Sequence, residues 1–290
     1  MKNPAETERP NGEASTTGAL PPYLTLELTR HCNFRCPFCY CVWHEFPELA
    51  KRDLPTRAWK RIIDRALAGG VKSLLFTGGE ILLRRDAEEL VRYTRERAPG
   101  CDLSLFTNGS RMTEERLKRF RKLRIRLSTS LPGLRTYGAM TGTRRSCLSV
   151  LELLARAKEL RWPFDVSLTA TRVNAPEFAD LFAAAAVAGA RTIQAGAMML
   201  EGRGRTRTDL ALTPQEWNAL KEQIRALPRG KTRYQFCDEI LCECRDQPLE
   251  YLAHYGRPDA VPCPAGKTFG VIGPNGKFRR CLHTVNDALW

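Results

Sequence analysis

Leu24-Thr25-Leu26-Glu27-Leu28-Thr29-Arg30-His31-Cys32-Asn33-Phe34-Arg35-Cys36-Pro37-Phe38-Cys39-Tyr40 is the stretch on which the reading of the fold turns. Residues 24–28 have the length and apolar character of a buried strand, and they run straight into a polar loop with three cysteines at Cys-x3-Cys-x2-Cys spacing. The same unit recurs downstream without its cysteines. Strand-like runs lie at 73–76, 103–106, 125–129, 164–168 and 192–195, and helix-like stretches at 56–68, 87–97, 113–122, 148–160, 176–188 and 213–227. Helix starts carry their usual signals: Thr56 follows Pro55, and Thr213 precedes Pro214. Strands alternating with helices predict parallel strands joined by crossovers. Six such units are fewer than the eight that close a barrel, so the expected fold is α/β, a partial (βα)6 TIM-type barrel; a doubly wound sheet shares the pattern. In either architecture ligands gather in loops after the C-terminal strand ends, and the cysteine loop is the first of these.

Outside this core the character of the chain changes. Residues 1–20 are rich in Pro, Gly, Ser, Thr, Glu and Asn without periodicity and read as a disordered tail. Residues 21–227 form the barrel, and 228–290 a small unit dense in Cys, Pro and Gly. Its one clear local signal is a hairpin, 269–272 and 277–280, around Pro274-Asn275-Gly276. So few apolar residues predict a unit that needs a staple to fold.

The 290 residues are 43% hydrophobic, which excludes a wholly disordered chain. No apolar run approaches the length of a membrane span, and no secretory signal is evident, so a soluble cytoplasmic protein is expected. Eleven cysteines would be unusual there as a disulfide framework, and metal ligation is the economical reading. Cys101, in an apolar run, reads as a small core residue. The net charge is +14, concentrated between Arg111 and Arg126 and again at Arg203, Arg205 and Arg207. Such clusters serve as solvated helix faces or as docking surfaces for an acidic partner.

Three thiolates at this spacing wrap one face of a [4Fe–4S] cubane and leave one iron open, a place for a cofactor or substrate. The competing reading is zinc, with His31 or Cys41 as fourth ligand, although paired Cys-x2-Cys units are the commoner zinc pattern. Two further strand ends carry suggestive turns. Phe76-Thr77-Gly78-Gly79-Glu80 combines glycines that admit a close approach with a carboxylate that accepts from an ammonium. Thr107-Asn108-Gly109 and Ser128-Thr129-Ser130 end the third and fourth strands, where plain turn chemistry is the alternative reading.

The Cys-x3-Cys-x-aromatic-Cys motif of Cys32, Cys36, Phe38 and Cys39 resembles the hallmark of radical S-adenosylmethionine (SAM) enzymes, and the resemblance runs from about residue 23 to 213. It implies that Cys32, Cys36 and Cys39 hold a [4Fe–4S] cluster whose open iron binds SAM. It places Phe38 near the adenine, Gly78, Gly79 and Glu80 at the amino group, and Asn108 and Ser130 beside the active site. Two positions depart from the family pattern: Ile81 stands where proline is usual, and Pro132 where an aspartate is usual. Glu201-Gly202-Arg203-Gly204 is similar to a glycine–arginine turn of the same subfamily.

Past the barrel, Cys263, the hairpin with Gly276, and Cys281 resemble a SPASM or twitch extension, which implies an auxiliary [4Fe–4S] cluster. Cys237, Cys242 and Cys244 are its candidate further ligands. A full SPASM unit has more cysteines beyond this point, so either the upstream cysteines complete the site or the sequence is truncated; structural zinc is the competing reading.

The resemblance further implies reductive cleavage of SAM to a 5′-deoxyadenosyl radical, which takes hydrogen from a substrate C–H. The expected substrate is a ribosomally synthesised precursor peptide; a small molecule, in a dehydrogenation or cofactor-building step, is the alternative. The expected electron donor is a small acidic protein such as a flavodoxin or ferredoxin. A non-catalytic zinc or iron–sulfur protein that binds nucleic acid is the reading from another class, weighed and not preferred.

Overall fold

Each parallel pair of strands needs a crossover, and here a helix supplies almost every one. The computed structural model describes residues 20–228, 230–236, 240–241, 261–262 and 264–283. Its strands run β1 (Tyr23–Glu27), β2 (Ser73–Thr77), β3 (Asp102–Thr107), β4 (Arg126–Ser130), β5 (Phe164–Ala170), β6 (Thr192–Ala197) and β7 (Arg233–Phe236). Between them lie α1 (Thr56–Ala68), α2 (Ala87–Arg97), α3 (Glu114–Lys122), the short α4 (Tyr137–Thr141), α5 (Leu148–Glu159), α6 (Phe178–Val187) and α7 (Pro214–Arg225). β8 (Ile240–Leu241) and β9 (Val261–Pro262) form a separate parallel pair, and β10 (Phe269–Ile272) and β11 (Phe278–Arg279) an antiparallel hairpin.

The helices follow from capping and pattern. Thr113 accepts from the Arg116 N–H to start α3, and Thr213 and Glu216 close a reciprocal capping box on α7. On α1 the buried residues Trp59, Ile63 and Ala66 recur at helical spacing. They face a layer of strand residues that are all fully buried: Leu24, Leu26, Leu74, Phe76, Leu103, Leu105, Leu127 and Ile193. Alternate positions on the strands point the other way and are mostly polar: Thr25, Glu27, Ser104, Ser128, Ser130 and Ser167. A closed barrel fills its centre with branched apolar side chains. Here small hydroxyls, several of them half-exposed, take many of these positions, with Leu75 and Phe106 among them as apolar members.

Three features differ from the expectation. A seventh parallel strand, β7, pairs with β6 beyond the last strand anticipated. Leu20, assigned to the tail, packs against the core beside Gly69. The hairpin forms as anticipated but does not stand alone: β10 pairs in parallel with β1 from Tyr23↔Phe269 to Leu26↔Ile272. The sheet order is therefore β11-β10-β1-β2-β3-β4-β5-β6-β7, nine strands with β1 in the interior. No helix among the described residues is long and apolar enough to cross a membrane.

Candidate active site at the barrel mouth

β1 ends at Glu27, and the chain leaves the sheet into residues 28–41, which cover the C-terminal mouth of the strands. The loop is bolted down at its root by the Gly78–Gly79 pair after β2. The Gly79 N–H donates to the Thr29 carbonyl at 2.7 Å and the Glu80 N–H to the His31 carbonyl at 2.7 Å. A Cβ on Gly78 would lie 2.5 Å from the Thr29 oxygen, and one on Gly79 would overlap the His31 carbonyl. The backbone that these glycines admit is thus the root of the cysteine loop itself.

Glu80 has partners within the fold. It is fully buried, and it accepts from the Thr107 hydroxyl (2.7 Å), the Asn108 N–H (2.7 Å) and the Leu82 N–H (2.9 Å). The side chain ties the ends of β2 and β3 together. Burial pushes its carboxyl up, and these donors pull it part of the way back.

Asn108 reaches across to the loop. Its amide donates to Asn33 Oδ1 at 3.2 Å and lies 3.9 Å from Cys32 Sγ, while Asn33 donates to Ser110 Oγ at 2.9 Å. Ser130, at the end of β4, and Phe38, packed on the core, are both half-buried. On the far side, the Arg203 N–H donates to the Cys39 carbonyl at 2.9 Å, and a Cβ on Gly202 would strike the carbonyls of Cys39 and Cys41. The Arg203 guanidinium reaches the Phe34 carbonyl and His44 Nδ1, each at 3.4 Å.

Cys32, Cys36 and Cys39 are half-buried free thiols close enough to perturb one another electrostatically. Burial raises Cys32 and pushes Cys36 up to about 12, while the Arg203 charge opposes both shifts. Cys39 goes the other way, below the usual thiol range, chiefly through the neighbouring Cys41 thiol, with His44 acting in the same direction. Cys41, which spacing alone left aside, and His44 are therefore part of this environment; so is Arg203, whose turn the sequence had flagged without a role. A thiolate pattern with N–H donors on the sulfurs and a nearby guanidinium suits iron ligation. The Phe34 N–H donates to Cys32 Sγ at 3.4 Å.

The sequence profile of the radical SAM superfamily matches residues 26–185, more than half of the chain, from β1 through α6. This chain belongs to the radical SAM superfamily. The family's cofactors are a [4Fe–4S] cluster and SAM, and the cysteine loop fits that pair. Among curated proteins the chain is 28% identical over 194 residues to the sporulation killing factor maturation protein SkfB of Bacillus subtilis, covering 64% of this chain and 46% of that protein. It is 29% identical over 190 residues to the AdoMet-dependent heme synthase of Methanosarcina barkeri, 63% and 52% of the two chains. It is also 33% identical over 170 residues to a probable GTP 3′,8-cyclase of Thermococcus kodakarensis, 57% and 53% of the two. This radical SAM chain thus spans about half the length of the curated relatives it matches. In fold it is similar to Streptococcus suis SuiB bound to its precursor peptide SuiA, with a TM-score of 0.71 and 17% identity over 91% of this chain and 60% of that one. It also resembles anSMEcpe with bound AdoMet, with a TM-score of 0.65 and 16% identity over 92% and 74%.

Of the residues expected at an auxiliary cluster, Cys237, Cys242, Cys244 and Cys263 lie outside the described residues. Cys281 is half-buried, two residues past β11. The segment around it is anchored to the cysteine loop. The Tyr40 and His283 rings meet edge to face at 5.0 Å. Arg279 forms a buried ion pair with Glu27 of β1, and its guanidinium lies 4.7 Å from the centre of the Trp43 ring. Trp43 in turn donates to Glu27 at 2.9 Å.

Proposed function

We propose that this chain is a radical SAM maturase acting on a ribosomally synthesised peptide. Cys32, Cys36 and Cys39 would hold the cluster, and Phe38, the Gly78–Glu80 turn, Asn108 and Ser130 would surround SAM. When bound, the reduced cluster and SAM supply a carbon radical strong enough to take hydrogen from an unactivated C–H. The polypeptide contributes position and dryness. Asn33 and Asn108 hold the loop to β3, Arg203 holds it from the other side, and the half-exposed hydroxyls of β4 and β5 line the space where a substrate segment enters.

The observations that carry the peptide reading are the relationship to SkfB, named for the maturation of a sporulation killing factor, and the fold shared with SuiB bound to precursor peptide SuiA. A small-molecule substrate is the second reading, favoured by the similarity to a heme synthase and a GTP cyclase. Cys281, with Cys237, Cys242, Cys244 and Cys263, would hold an auxiliary cluster in a unit of residues 228–290 attached to the barrel of 21–227. A small acidic flavodoxin or ferredoxin would deliver the electron in the cytoplasm.

The test is anaerobic. The reconstituted protein is reduced with dithionite and given SAM, with and without a precursor peptide encoded beside its gene. Formation of 5′-deoxyadenosine by the wild type, and its loss in the Cys32/Cys36/Cys39→Ala triple variant, is the expected result. A change in mass or stereochemistry of the peptide supports maturation. An unchanged peptide, with SAM consumed only when a small molecule is supplied, would replace the peptide reading with the second one.

A further inference from the structure

At the opposite end of the strands from the cysteine loop, the structure has a second concave feature. A cleft of about 490 Å³ opens at the N-terminal ends of β4, β5 and β6, lined by Arg121, Lys122, Arg124, Arg126, Arg161 and Arg191, with Asp102 at its edge. Below it Asp165 pairs with Arg126 at 3.3 Å and with Arg191 at 3.0 Å, and Asp102 lies 3.7 Å from Arg126. Arg121 donates to the Leu160 carbonyl. Lys122, Arg124 and Arg161 have no carboxylate partner among the described residues. The cleft therefore gathers six cations around two carboxylates.

The second observation is in the backbone. Arg124 and Arg161 are the only non-glycine residues at positive φ among the described residues, at 52° and 51°. Each is the left-handed residue just past a helix end, α3 and α5, where glycine is the usual choice because any side chain is strained there. The same molecule uses glycine for the same job elsewhere. Gly70 after α1 (φ 84°) and Gly189 after α6 (φ 92°) make the same pair of closing hydrogen bonds that Arg161 and Trp162 make after α5. Where the cleft is absent the strained position holds glycine, and at the two helix ends that frame the cleft it holds arginine. The turns are also fixed in advance: Arg95 donates to the Leu123 carbonyl at 2.8 Å and to the Arg124 carbonyl at 3.1 Å.

We infer that this cleft is a binding site for a compact polyphosphate-type anion, such as a tripolyphosphate group, free or carried by a nucleotide. Guanidinium groups grip oxyanions in bidentate fashion. These come from four elements around one hollow, rather than along a line as an extended acidic chain would require. The site is separated from the cysteine loop by the length of the strands, so it serves the protein as a regulatory or anchoring site and not as the place of hydrogen abstraction.

The test is calorimetric titration of the whole protein at constant, near-physiological ionic strength with tripolyphosphate, ATP and hexaglutamate. Tripolyphosphate is expected to bind, and ATP binding as tightly or more tightly would identify a nucleotide as the source. In Arg124→Gly/Arg161→Gly, affinity is expected to fall at least about tenfold, as for loss of a hydrogen bond between charged groups. The ligand-free melting temperature of that variant should be equal to or above wild type, because glycine relieves the left-handed positions. Arg57→Ala/Arg92→Ala, which removes two exposed cations elsewhere, should bind as wild type does. Unchanged affinity in the cleft variant, an equal loss in the control, or tight binding of hexaglutamate alone would overturn the inference.

Discussion

Arg279 is the residue through which the C-terminal hairpin grips the barrel, and replacing it with methionine isolates that grip. Methionine keeps most of the aliphatic volume against Trp43 but leaves the fully buried Glu27 carboxylate with the Trp43 N–H as its remaining named donor. Stranding one member of a buried pair costs about 3–5 kcal/mol. At about 2–4 °C per kcal/mol for domains of this general size, the melting temperature should drop by at least about 6 °C. The double variant Glu27→Leu/Arg279→Met removes both charges and should recover to within about 1 kcal/mol of wild type, or exceed it. The pH dependence carries a sign. Burial already raises the Glu27 carboxyl above its ordinary value, with Arg279 and Trp43 opposing, and without Arg279 it rises further. A carboxyl whose folded pKa lies above its unfolded one lends stability at low pH that is lost as pH rises through the folded pKa. The deficit of Arg279→Met relative to wild type should therefore narrow as the pH falls from about 8 toward about 5. Thermal and urea unfolding across that range, with hydrogen exchange at the Val271 and Ile272 amides, read the effect globally and at β10. If Arg279→Met melts with wild type, or the double variant fails to recover, the ion pair is not what holds the hairpin.

Gly79→Ala should impair cluster loading, seen as reduced iron per chain after reconstitution, because its Cβ overlaps the His31 carbonyl; Gly100→Ala, with no atom within 4 Å, is the matched control. Glu80→Ala strands a hydroxyl and two N–H donors, each at about 1–3 kcal/mol, and should unfold at clearly lower urea than Glu80→Gln, which keeps an acceptor for part of the set. Cys101→Ala should retain wild-type iron and lose only about 1 kcal/mol, since its thiol is buried in the core and donates to the Lys72 carbonyl. Loss of iron in that variant would contradict the separation of structural from ligating cysteines.

What was legible in the chain was whatever is encoded locally. The bounds of α1 and α2 coincide with those read from pattern and caps, and the Asn275–Gly276 turn closes with Gly276 at a φ of 80°, as a hairpin glycine should. β7 is not legible because Arg233-Tyr234-Gln235-Phe236 is short and half polar, and its described partner is β6 alone. The partners that Gly78, Gly79 and Glu80 have within the fold are not legible locally, because local sequence cannot name a partner from another loop. Their partners, Thr29, His31 and Thr107, are distant along the chain. The same holds for Asn33, whose neighbours Asn108 and Ser110 identify it as a brace of the cysteine loop. His44 carried no motif, and its influence on Cys39 comes from the fold of the short helical turn Val42–His44.

The hairpin is where local reading and long-range pairing diverge most, and the consequence reaches the cysteine loop. A separate C-terminal unit would leave β1 as an edge strand, hydrogen-bonded on one side to β2, with a cluster loop hanging from the least constrained strand of the sheet. Pairing with β10 gives β1 a second ladder, and the strand then enters the loop from the interior of nine strands. The same hairpin places Arg279 on Glu27, the last residue of β1, and fits Gly273 against the Trp43 ring, where a Cβ would lie 2.6 Å from Cζ2. Tyr40, directly after Cys39, meets His283 beyond β11. The segment that carries Cys281 is thereby fixed to both ends of the stretch holding Cys32, Cys36 and Cys39. Any ligand or cluster held by Cys281 would share that frame, so disturbing the hairpin should be felt at the first cysteine loop as well as in stability. Iron content measured on Arg279→Met beside Glu27→Leu/Arg279→Met reads that coupling: iron lost in the single variant and regained in the double follows from the shared frame, and iron unchanged in both would show that the loop keeps its shape without it.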